Sequence, residues 1–288
     1  MTDTLQDTAR TALACLDLTS LNDGDDAAAI SALCARAAGP AGTPAALCVW
    51  PRFVAQAKAA APAGVRVAAV ANFPHGGTDL AAAVADARAI VEAGGDEVDL
   101  VLPWRALLAD HAAGATGATG VAGVTGAVGA AGAAHAAALV VAVRAACVGR
   151  TLKLIIESGD LATPALIHQA SLIGLDAGVD FLKTSTGKTA SGATPAAARV
   201  MLGAIAGHPR GAAVGFKASG RIRTVADAAV YIALVHELLG ADAATPQRLR
   251  FGASGLLGDI EAVLAGRGDG NLAPSGQGAG NPAPASTY

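Results

Sequence analysis

Charge is scarce in this sequence of 288 residues and is nearly balanced between the two signs. Charged residues make up 15% of the chain, the net charge is −3 and the isoelectric point is about 6.0. A surface that binds nucleic acid or an anionic membrane usually carries a clear excess of Lys and Arg. The composition therefore predicts neither a nucleic-acid partner nor a membrane partner.

Cysteine pairs, a signal peptide and a long apolar run are also missing. Four cysteines lie far apart without a Cys-x-x-Cys pair, so we expect reduced thiols in the core. The first ten residues contain acids and lack an apolar centre. The longest apolar run is interrupted by Arg144 and is too short to span a bilayer. Together these absences predict a cytoplasmic protein.

Short apolar segments alternate with helical patterns along most of the chain. Near-continuous Val, Ile and Leu suits parallel strands that are buried on both faces. Eight alternations in about 260 residues predict an α/β fold, the (β/α)8 or TIM barrel. An open doubly wound sheet is disfavoured because no Gly-x-Gly-x-x-Gly follows the first strand. The predicted strands span 14–19, 46–50, 65–71, 96–102, 152–158, 179–185, 212–217 and 249–254.

Two segments depart from this alternation. Glycine occupies every third position over Gly114–Ala134, but the segment lacks the proline that supports a collagen triple helix. Glycine at this density also disfavours an α-helix, so we expect a low-complexity insertion in one barrel domain, residues 1–265. Residues 266–288 are rich in Gly, Pro, Ala and Ser and predict a flexible tail that ends in Tyr288.

Polar side chains end or interrupt the predicted strands. The carboxyl ends of barrel strands meet at the active site, so these side chains are candidates for chemistry. Buried lysines are rare, and the two on the adjacent sixth and seventh strands are the strongest functional signal. The group comprises Asp17, Thr19, Cys48, Asn72, Asp99, Glu157, Lys183 and Lys217.

A pair of buried lysines suits Schiff-base chemistry. A free lysine has a pKa of about 10.4 and is a poor nucleophile at neutral pH. An apolar wall and a second ammonium would both lower the pKa of the reacting lysine. The residue types alone leave a second interpretation open, in which one or both lysines only form ion pairs with Asp99 or Glu157.

The segment after the sixth strand resembles the end of a nucleotide-binding P-loop, because Gly187 and Lys188 are followed by a threonine. A P-loop also needs glycine at position 182, which is leucine here. Helix start signals begin only near Thr194. The sequence therefore disfavours a nucleotide site, although the turn at Gly187 can still bind a phosphate through backbone N–H groups.

Six strings resemble the deoxyribose-phosphate aldolases, which are class I aldolases on a TIM barrel. In chain order they read LDLTSLND, ANFPHG, GGDEVDLVLPWRALL, FLKTSTGK, VGFKASG and RFGAS. The resemblance implies that Lys183 forms a Schiff base with 2-deoxy-D-ribose 5-phosphate, that Lys217 perturbs its pKa, and that Lys217 and Asp99 relay protons. It implies release of D-glyceraldehyde 3-phosphate and acetaldehyde in deoxyribonucleoside breakdown. No metal or other cofactor is expected.

The resemblance also implies roles outside the strands. Tyr288 would reach the site to assist proton transfer, and the chain would form a homodimer. Arg221 and Gly255 stand where the family usually has glycine and serine, so we expect a weaker or altered preference for phosphorylated aldehydes. An aldolase for non-phosphorylated aldehydes and a non-catalytic sugar-phosphate-binding barrel remain alternatives. The expected substrate or phosphate contacts are Asp17, Thr19, Cys48, Thr186, Gly187, Lys188, Gly220, Arg221 and Ser254.

Overall fold

A computed structural model of the chain describes residues 4–117 and 131–267. Residues 118–130, the centre of the predicted insertion, lie outside this part of the chain. So does nearly all of the predicted tail, including Tyr288, whose predicted role therefore stays a prediction. Within it, no helix is both long and apolar enough to cross a bilayer.

Eight parallel strands form a closed barrel in which each strand pairs with the next and the eighth pairs with the first. The predicted (β/α)8 barrel is therefore confirmed. The strands are β1 Leu16–Thr19, β2 Ala46–Val49, β3 Arg66–Ala71, β4 Glu97–Val101, β5 Thr151–Ile155, β6 Phe181–Lys183, β7 Gly215–Ser219 and β8 Leu249–Ala253.

Helices precede β1 and connect successive strands around the outside of the barrel. They are α1 Leu5–Ala14, α2 Ala27–Arg36, α3 Val54–Ala60, α4 Leu80–Glu92, α5 Trp104–Gly117, α6 Ala131–Ala146, α7 Ser158–Leu161, α8 Pro164–Asp176, α9 Pro195–Gly207, α10 Val225–Leu239 and α11 Leu256–Leu264. Two short 3-10 turns, Pro51–Phe53 and Gly211–Ala213, precede α3 and β7.

Polar caps fix where several helices begin, as the sequence predicts. Asp79, Thr163 and Thr194 each accept a hydrogen bond from a backbone N–H in the first turn of α4, α8 and α9. Thr224 and Asp227 form a reciprocal capping box at the start of α10. These caps satisfy N–H groups that would otherwise lack a partner at a helix end.

Both ends of the Gly-triplet segment are helical, although glycine at this density was expected to disfavour an α-helix there. The backbone of α5 continues to Gly117, and α6 begins at Ala131. A Cβ at Gly132 would lie 2.6 Å from the carbonyl oxygen of Ala106, so glycine allows α6 to approach α5 closely. Tertiary packing of this kind overrides a weak intrinsic preference.

All eight strands differ from their predicted bounds by one or more residues, and in two of them the difference changes the position of a candidate site residue. The fifth strand ends at Ile155, because Glu157 adopts a left-handed conformation with φ 54° and ψ 57°, which breaks the extended chain. Glu157 therefore follows β5 and does not lie within it. The seventh strand extends to Ser219, so Lys217 is its central residue and does not end it.

Apolar side chains occupy two separate regions. The main core fills the space between the outer faces of the strands and the helices. A smaller cluster of Leu21, Cys48, Ala68 and Val70 is separate from it and packs against Trp50 and Phe73. This cluster centres on β2 and β3, and the charged side chains of the site come from β1 and from β4 to β8. All four cysteines are buried free thiols, as predicted.

Candidate active site

Seven charged side chains from six strands are buried together. Such a group is stable only when the charges pair, because an isolated ion in a protein interior is strongly disfavoured. Four are cationic and three are acidic, so the group carries one net positive charge when all are ionised. Its members are Asp17, Glu97, Asp99, Lys153, Lys183, Lys217 and Arg250.

Asp99 joins the two lysines that the sequence singles out. Its Oδ2 atom lies 2.8 Å from the Nζ atom of Lys183 and 2.8 Å from the Nζ atom of Lys217. Lys183 and Lys217 are direct neighbours in the β6–β7 register, which places both ammonium groups on one carboxylate oxygen. The structure thus brings together three of the four residues that we predicted to do the chemistry, and the fourth, Tyr288, lies outside the described residues.

Lys153 is a third buried lysine that the sequence reasoning missed. Its Nζ atom lies 2.9 Å from Asp99 Oδ1, 3.0 Å from Asp17 Oδ2 and 2.5 Å from Glu97 Oε2. It therefore holds the oxygen of Asp99 that faces away from Lys183. The sequence did contain a signal for this residue, because Lys153 is an isolated charge among the apolar residues of the predicted strand.

Glu97 and Arg250 complete the group and were also missed. The Arg250 guanidinium lies 2.6 Å from Asp17 Oδ1 and 3.0 Å from Glu97 Oε1. Glu97 precedes Asp99 by two residues, and side chains two apart on a strand share one face. The spacing Glu-x-Asp could therefore have predicted that both acids lie in the site.

The carboxylates are held ionised by their cationic neighbours. Burial alone would raise the pKa of Asp99, but Lys153, Lys183 and Lys217 together hold that pKa well below its ordinary value. The pKa of Asp17 is lowered as well: Lys153, Lys217 and Arg250 outweigh its burial. In the ionised state both side chains accept hydrogen bonds and do not donate them.

The expectation that Lys183 has a lowered pKa is wrong for this arrangement. Burial does act to lower it, but the Asp99 carboxylate at 2.8 Å, helped by a direct hydrogen bond, raises the pKa of Lys183 above its ordinary value. The lysine is therefore protonated at neutral pH until its proton is transferred elsewhere. Any chemistry at Lys183 must include that transfer.

Glycine in β8 leaves space for Lys217. A Cβ at Gly252 would lie 2.6 Å from Ser219 Oγ and 3.0 Å from Lys217 Cε. Contacts this short require the neighbouring atoms to shift, so a larger residue at position 252 would displace the lysine or the strand.

Three expected substrate contacts, Asp17, Thr19 and Cys48, belong to the charged group or lie beside it. Asp17 is fully buried, and Lys217 lies 2.5 Å from its Oδ2 atom. Thr19 donates a hydrogen bond to the backbone oxygen of Asp17 at 2.8 Å. Cys48 Sγ lies 3.9 Å from Asp99 Oδ2, and burial, followed by the Asp99 charge, raises the pKa of this thiol. Cys48 is therefore an unreactive neutral thiol at neutral pH.

The loops after β6 and β7 meet through glycines. Gly187 and Gly220 both have positive φ, 77° and 83°. A Cβ at Gly220 would lie 3.6 Å from the Cα atom of Gly187 and 3.0 Å from that of Gly192, so the two backbones are close. Thr186 is buried, and the Lys188 Nζ atom lies 3.4 Å from Asp23 Oδ1.

Arg221 and Ser254 are expected phosphate contacts in the loops after β7 and β8. Arg221 has φ 65°, is exposed, and donates a hydrogen bond to the carbonyl of Ala190 in the loop after β6. Ser254 is half-buried after β8. Gly255 is the N-cap of α11 and provides no side-chain cap, where a serine could accept an N–H of the first turn.

Solved structures support the fold over most of the chain. The apo form of a protein named as a deoxyribose-phosphate aldolase from Toxoplasma gondii ME49 is 24% identical, with a TM-score of 0.77, and the match covers 91% of this chain and 97% of that one. A protein of the same name from Coccidioides immitis is 24% identical over 88% and 86%, with a TM-score of 0.70. At these identities the likeness shows the fold alone.

A third structure is the deoxyribose phosphate aldolase from Aeropyrum pernix, described as a unique tetramer. It is 21% identical, covers 90% of this chain and 92% of that one, and has a TM-score of 0.62. A sequence model of the DeoC/LacD aldolases matches residues 11–236, which include Asp99, Lys183 and Lys217. The match spans most of the barrel, and the chain therefore belongs to the DeoC/LacD family of aldolases.

Proposed function

We propose that this aldolase cleaves 2-deoxy-D-ribose 5-phosphate reversibly into D-glyceraldehyde 3-phosphate and acetaldehyde, with Lys183 as the Schiff-base residue. The observation that carries the proposal is the shared carboxylate oxygen of Asp99, which lies 2.8 Å from both Lys183 and Lys217. A purely structural ion pair needs one cation for one carboxylate. With two ammonium groups on one oxygen, Lys183 can give up its proton and react while Lys217 keeps the Asp99 carboxylate paired.

The first step is loss of a proton from Lys183. The Asp99 carboxylate is too acidic to keep this proton and passes it to water. The free amine then adds to C1 of the open-chain sugar, and the carbinolamine loses water to give an iminium. This iminium accepts the electron pair of the bond that breaks, which is the role of covalent catalysis by lysine.

The C2–C3 bond breaks when the C3 hydroxyl loses its proton. D-Glyceraldehyde 3-phosphate leaves, and an enamine of two carbons remains on Lys183. Protonation of the terminal carbon restores the iminium, and water then releases acetaldehyde and the free lysine. Lys217 and Asp99 lie beside Lys183 and can carry the protons in both directions.

The phosphate end of the substrate would lie against the loops after β6, β7 and β8. The backbones of the two loops approach each other at Gly187 and Gly220, and Lys188 adds a positive charge. Barrel enzymes frequently bind phosphate at the loops after the seventh and eighth strands. The C5 phosphate would thus lie at the rim of the barrel and C1 near Lys183.

Turnover of 2-deoxy-D-ribose 5-phosphate tests this function directly. Acetaldehyde should be measured with alcohol dehydrogenase and NADH, and D-glyceraldehyde 3-phosphate by mass spectrometry, in equal amounts. Lys183→Met should abolish both products, whereas Lys58→Met, which changes a lysine on the outer surface, should not reduce them. Absence of both products from the unmodified protein would reject the proposal.

A second candidate is an aldolase that prefers non-phosphorylated aldehydes, and Arg221 is the observation that favours it. Its guanidinium is engaged with the carbonyl of Ala190, and its backbone is in the left-handed region. The ratio of kcat/KM for 2-deoxyribose 5-phosphate to that for 2-deoxyribose decides between the two. A ratio near one supports the second candidate, and a ratio of several hundred supports the first.

A further inference from the structure

Glu157 is a buried carboxylate that the proposed reaction does not use. It follows β5, is 0% exposed, and adopts a left-handed backbone conformation that residues other than glycine seldom adopt. Such a conformation persists only where the surrounding contacts fix it, and it is concentrated at functional sites. The contacts of the side chain indicate what Glu157 does.

The carboxylate of Glu157 binds the loop that follows the Schiff-base strand. Its Oε2 atom accepts hydrogen bonds from the Thr186 hydroxyl at 2.6 Å and from the Thr186 backbone N–H at 3.2 Å. Its Oε1 atom accepts from the Thr189 hydroxyl at 3.4 Å. One side chain thus fixes both ends of the turn that contains Gly187 and Lys188.

The hydrogen bonds continue from Thr186 into that turn. Thr186 Oγ1 donates to Glu157 and accepts from the backbone N–H of Lys188 at 3.1 Å. The N–H groups of Thr186 and Lys188 are therefore both engaged within the protein. In the described part of the chain, the Gly187 N–H between them meets no acceptor, so it is available to a ligand.

The backbone next to Glu157 also packs on this loop. The Ser158 N–H donates to the carbonyl of Thr184 at 2.8 Å. A Cβ at Gly159 would lie 2.4 Å from the Cβ atom of Ser191, so the turn after Glu157 touches the far end of the same loop. The loop between β6 and α9 is thus held by the Glu157 segment along its length.

We infer that Glu157 is a positioning residue that holds Thr186–Lys188 in the conformation that presents the Gly187 N–H and Lys188 to the substrate phosphate. This inference rests on the proposed function. It adds that selectivity for the phosphorylated substrate depends on a carboxylate that does not touch the phosphate. A carboxylate is suited to this task because it accepts from a hydroxyl and an amide together, which a single neutral oxygen does less strongly.

Glu157→Ala and Thr186→Val separate this role from a general structural one. Each should raise KM for 2-deoxyribose 5-phosphate at least about tenfold, because each removes a charge-assisted hydrogen bond of the loop. For 2-deoxyribose, which has no phosphate, kcat/KM should stay within about threefold, because the hydrogen bonds of the Glu157 carboxylate go to Thr186 and Thr189 and not to Lys183. Glu237→Ala, which removes an exposed carboxylate paired with Arg199, should leave both substrates unaffected.

Glu157→Gln is the conservative variant. Its amide oxygen can still accept the Thr186 N–H, so KM for the phosphorylated sugar should lie between the values of the unmodified protein and Glu157→Ala. If Glu157→Ala does not fold, Glu157→Gln and Thr186→Val carry the test. An equal loss of kcat/KM on both sugars, or an unchanged KM for the phosphorylated one, would overturn the inference.

Phosphate binding provides a readout that does not depend on turnover. If the unmodified protein cleaves neither sugar, the proposed function fails, and the Kd of D-glyceraldehyde 3-phosphate is then measured by calorimetry. Glu157→Ala should still weaken that binding about tenfold relative to Glu237→Ala. Equal affinity in the two variants, or no binding to the unmodified protein, would overturn the positioning role.

Discussion

Lys153 contacts three carboxylates and connects Asp99, which holds Lys183 and Lys217, to the rest of the charged group. It lies 2.9 Å from Asp99, 3.0 Å from Asp17 and 2.5 Å from Glu97. By occupying Asp99 Oδ1 it leaves Oδ2 to Lys183 and Lys217. Its contribution to activity is therefore indirect, through the orientation of Asp99.

Lys153→Met should lower stability and activity together. Removing one partner of a buried ion pair costs about 3–5 kcal/mol, because the remaining charges lose compensation. Urea unfolding should show a loss of this size, and kcat should fall at least about tenfold as Asp99 loses its orientation. Lys58→Met, which removes a half-exposed pair with Asp96, should cost less than about 1 kcal/mol. Equal losses in the two variants would contradict this account.

The protonation of Lys183 predicts the pH dependence of its chemistry. Because Asp99 raises the pKa of Lys183, the amine is protonated at neutral pH, and imine formation should accelerate as the pH rises toward that pKa. Asp99→Asn removes the main cause of the upward shift, so the same rise should occur at lower pH. The rate of borohydride-trapped adduct with acetaldehyde, measured between pH 6 and 10, gives both profiles. Identical profiles would show that Asp99 does not control Lys183.

Strand β8 shows how a glycine on one strand leaves space for a long side chain on the neighbouring strand. Gly252 is the middle one of the three β8 residues that pair with β1, between Phe251 and Ala253. Its missing side chain leaves space for Lys217. Overfilling a packed interior typically costs about 1–3 kcal/mol. The glycine is thus required by the lysine on the neighbouring strand.

Gly252→Ala should displace Lys217 and reduce both stability and kcat. We expect a loss of about 1–3 kcal/mol in the free energy of unfolding and about a tenfold loss of kcat, because the new Cβ would lie 3.0 Å from Lys217 Cε. Gly258→Ala is the matched control, since a Cβ at this position of α11 meets nothing within 4 Å. It should leave kcat unchanged and stabilise the helix by about 0.5–1 kcal/mol. Similar effects of the two substitutions would argue against steric positioning by Gly252.

The sequence predicts the strands and helices better than it predicts the contacts between their side chains. Apolar runs and helix caps depend on local residues, so the eight strands and the starts of α4, α8 and α9 were predictable. The partners of Lys153 were not, because Asp17 and Asp99 lie more than fifty residues away along the chain. The left-handed turn at Glu157 also depends on distant contacts with Thr186. The ion pairs reverse the expected direction of the Lys183 pKa for the same reason.

At the scale of the whole molecule, the barrel interior is divided between an apolar side and a charged side. Cys48, Ala68 and Val70 line the first, and the charged group occupies the second. The charged side makes folding sensitive to pH. The lowered pKa values of Asp17 and Asp99 stabilise the fold above the ordinary carboxyl pKa, and this contribution is lost as the pH falls through the lowered values.

Acid should therefore destabilise the barrel steeply below about pH 4, where the unfolded chain takes up protons that the folded chain does not. Each carboxyl that stays ionised in the fold contributes a slope of about 1.4 kcal/mol per pH unit, so Asp17 and Asp99 together predict at least about 2 kcal/mol per unit. Urea unfolding at pH 2.5, 3.0 and 3.5 measures this slope. A slope below about 1 kcal/mol per unit would mean that these carboxylates are protonated in the folded protein.

Borohydride trapping tests the central claim most directly. The protein is incubated with 2-deoxyribose 5-phosphate or acetaldehyde, reduced with borohydride, digested and analysed by mass spectrometry. The proposed chemistry predicts a reduced two-carbon adduct on the peptide that contains Lys183, its loss in Lys183→Met, and no adduct on Lys188, the nearby lysine of the P-loop-like turn. An adduct confined to another lysine, or no adduct with either compound, would contradict the assignment of Lys183 as the nucleophile.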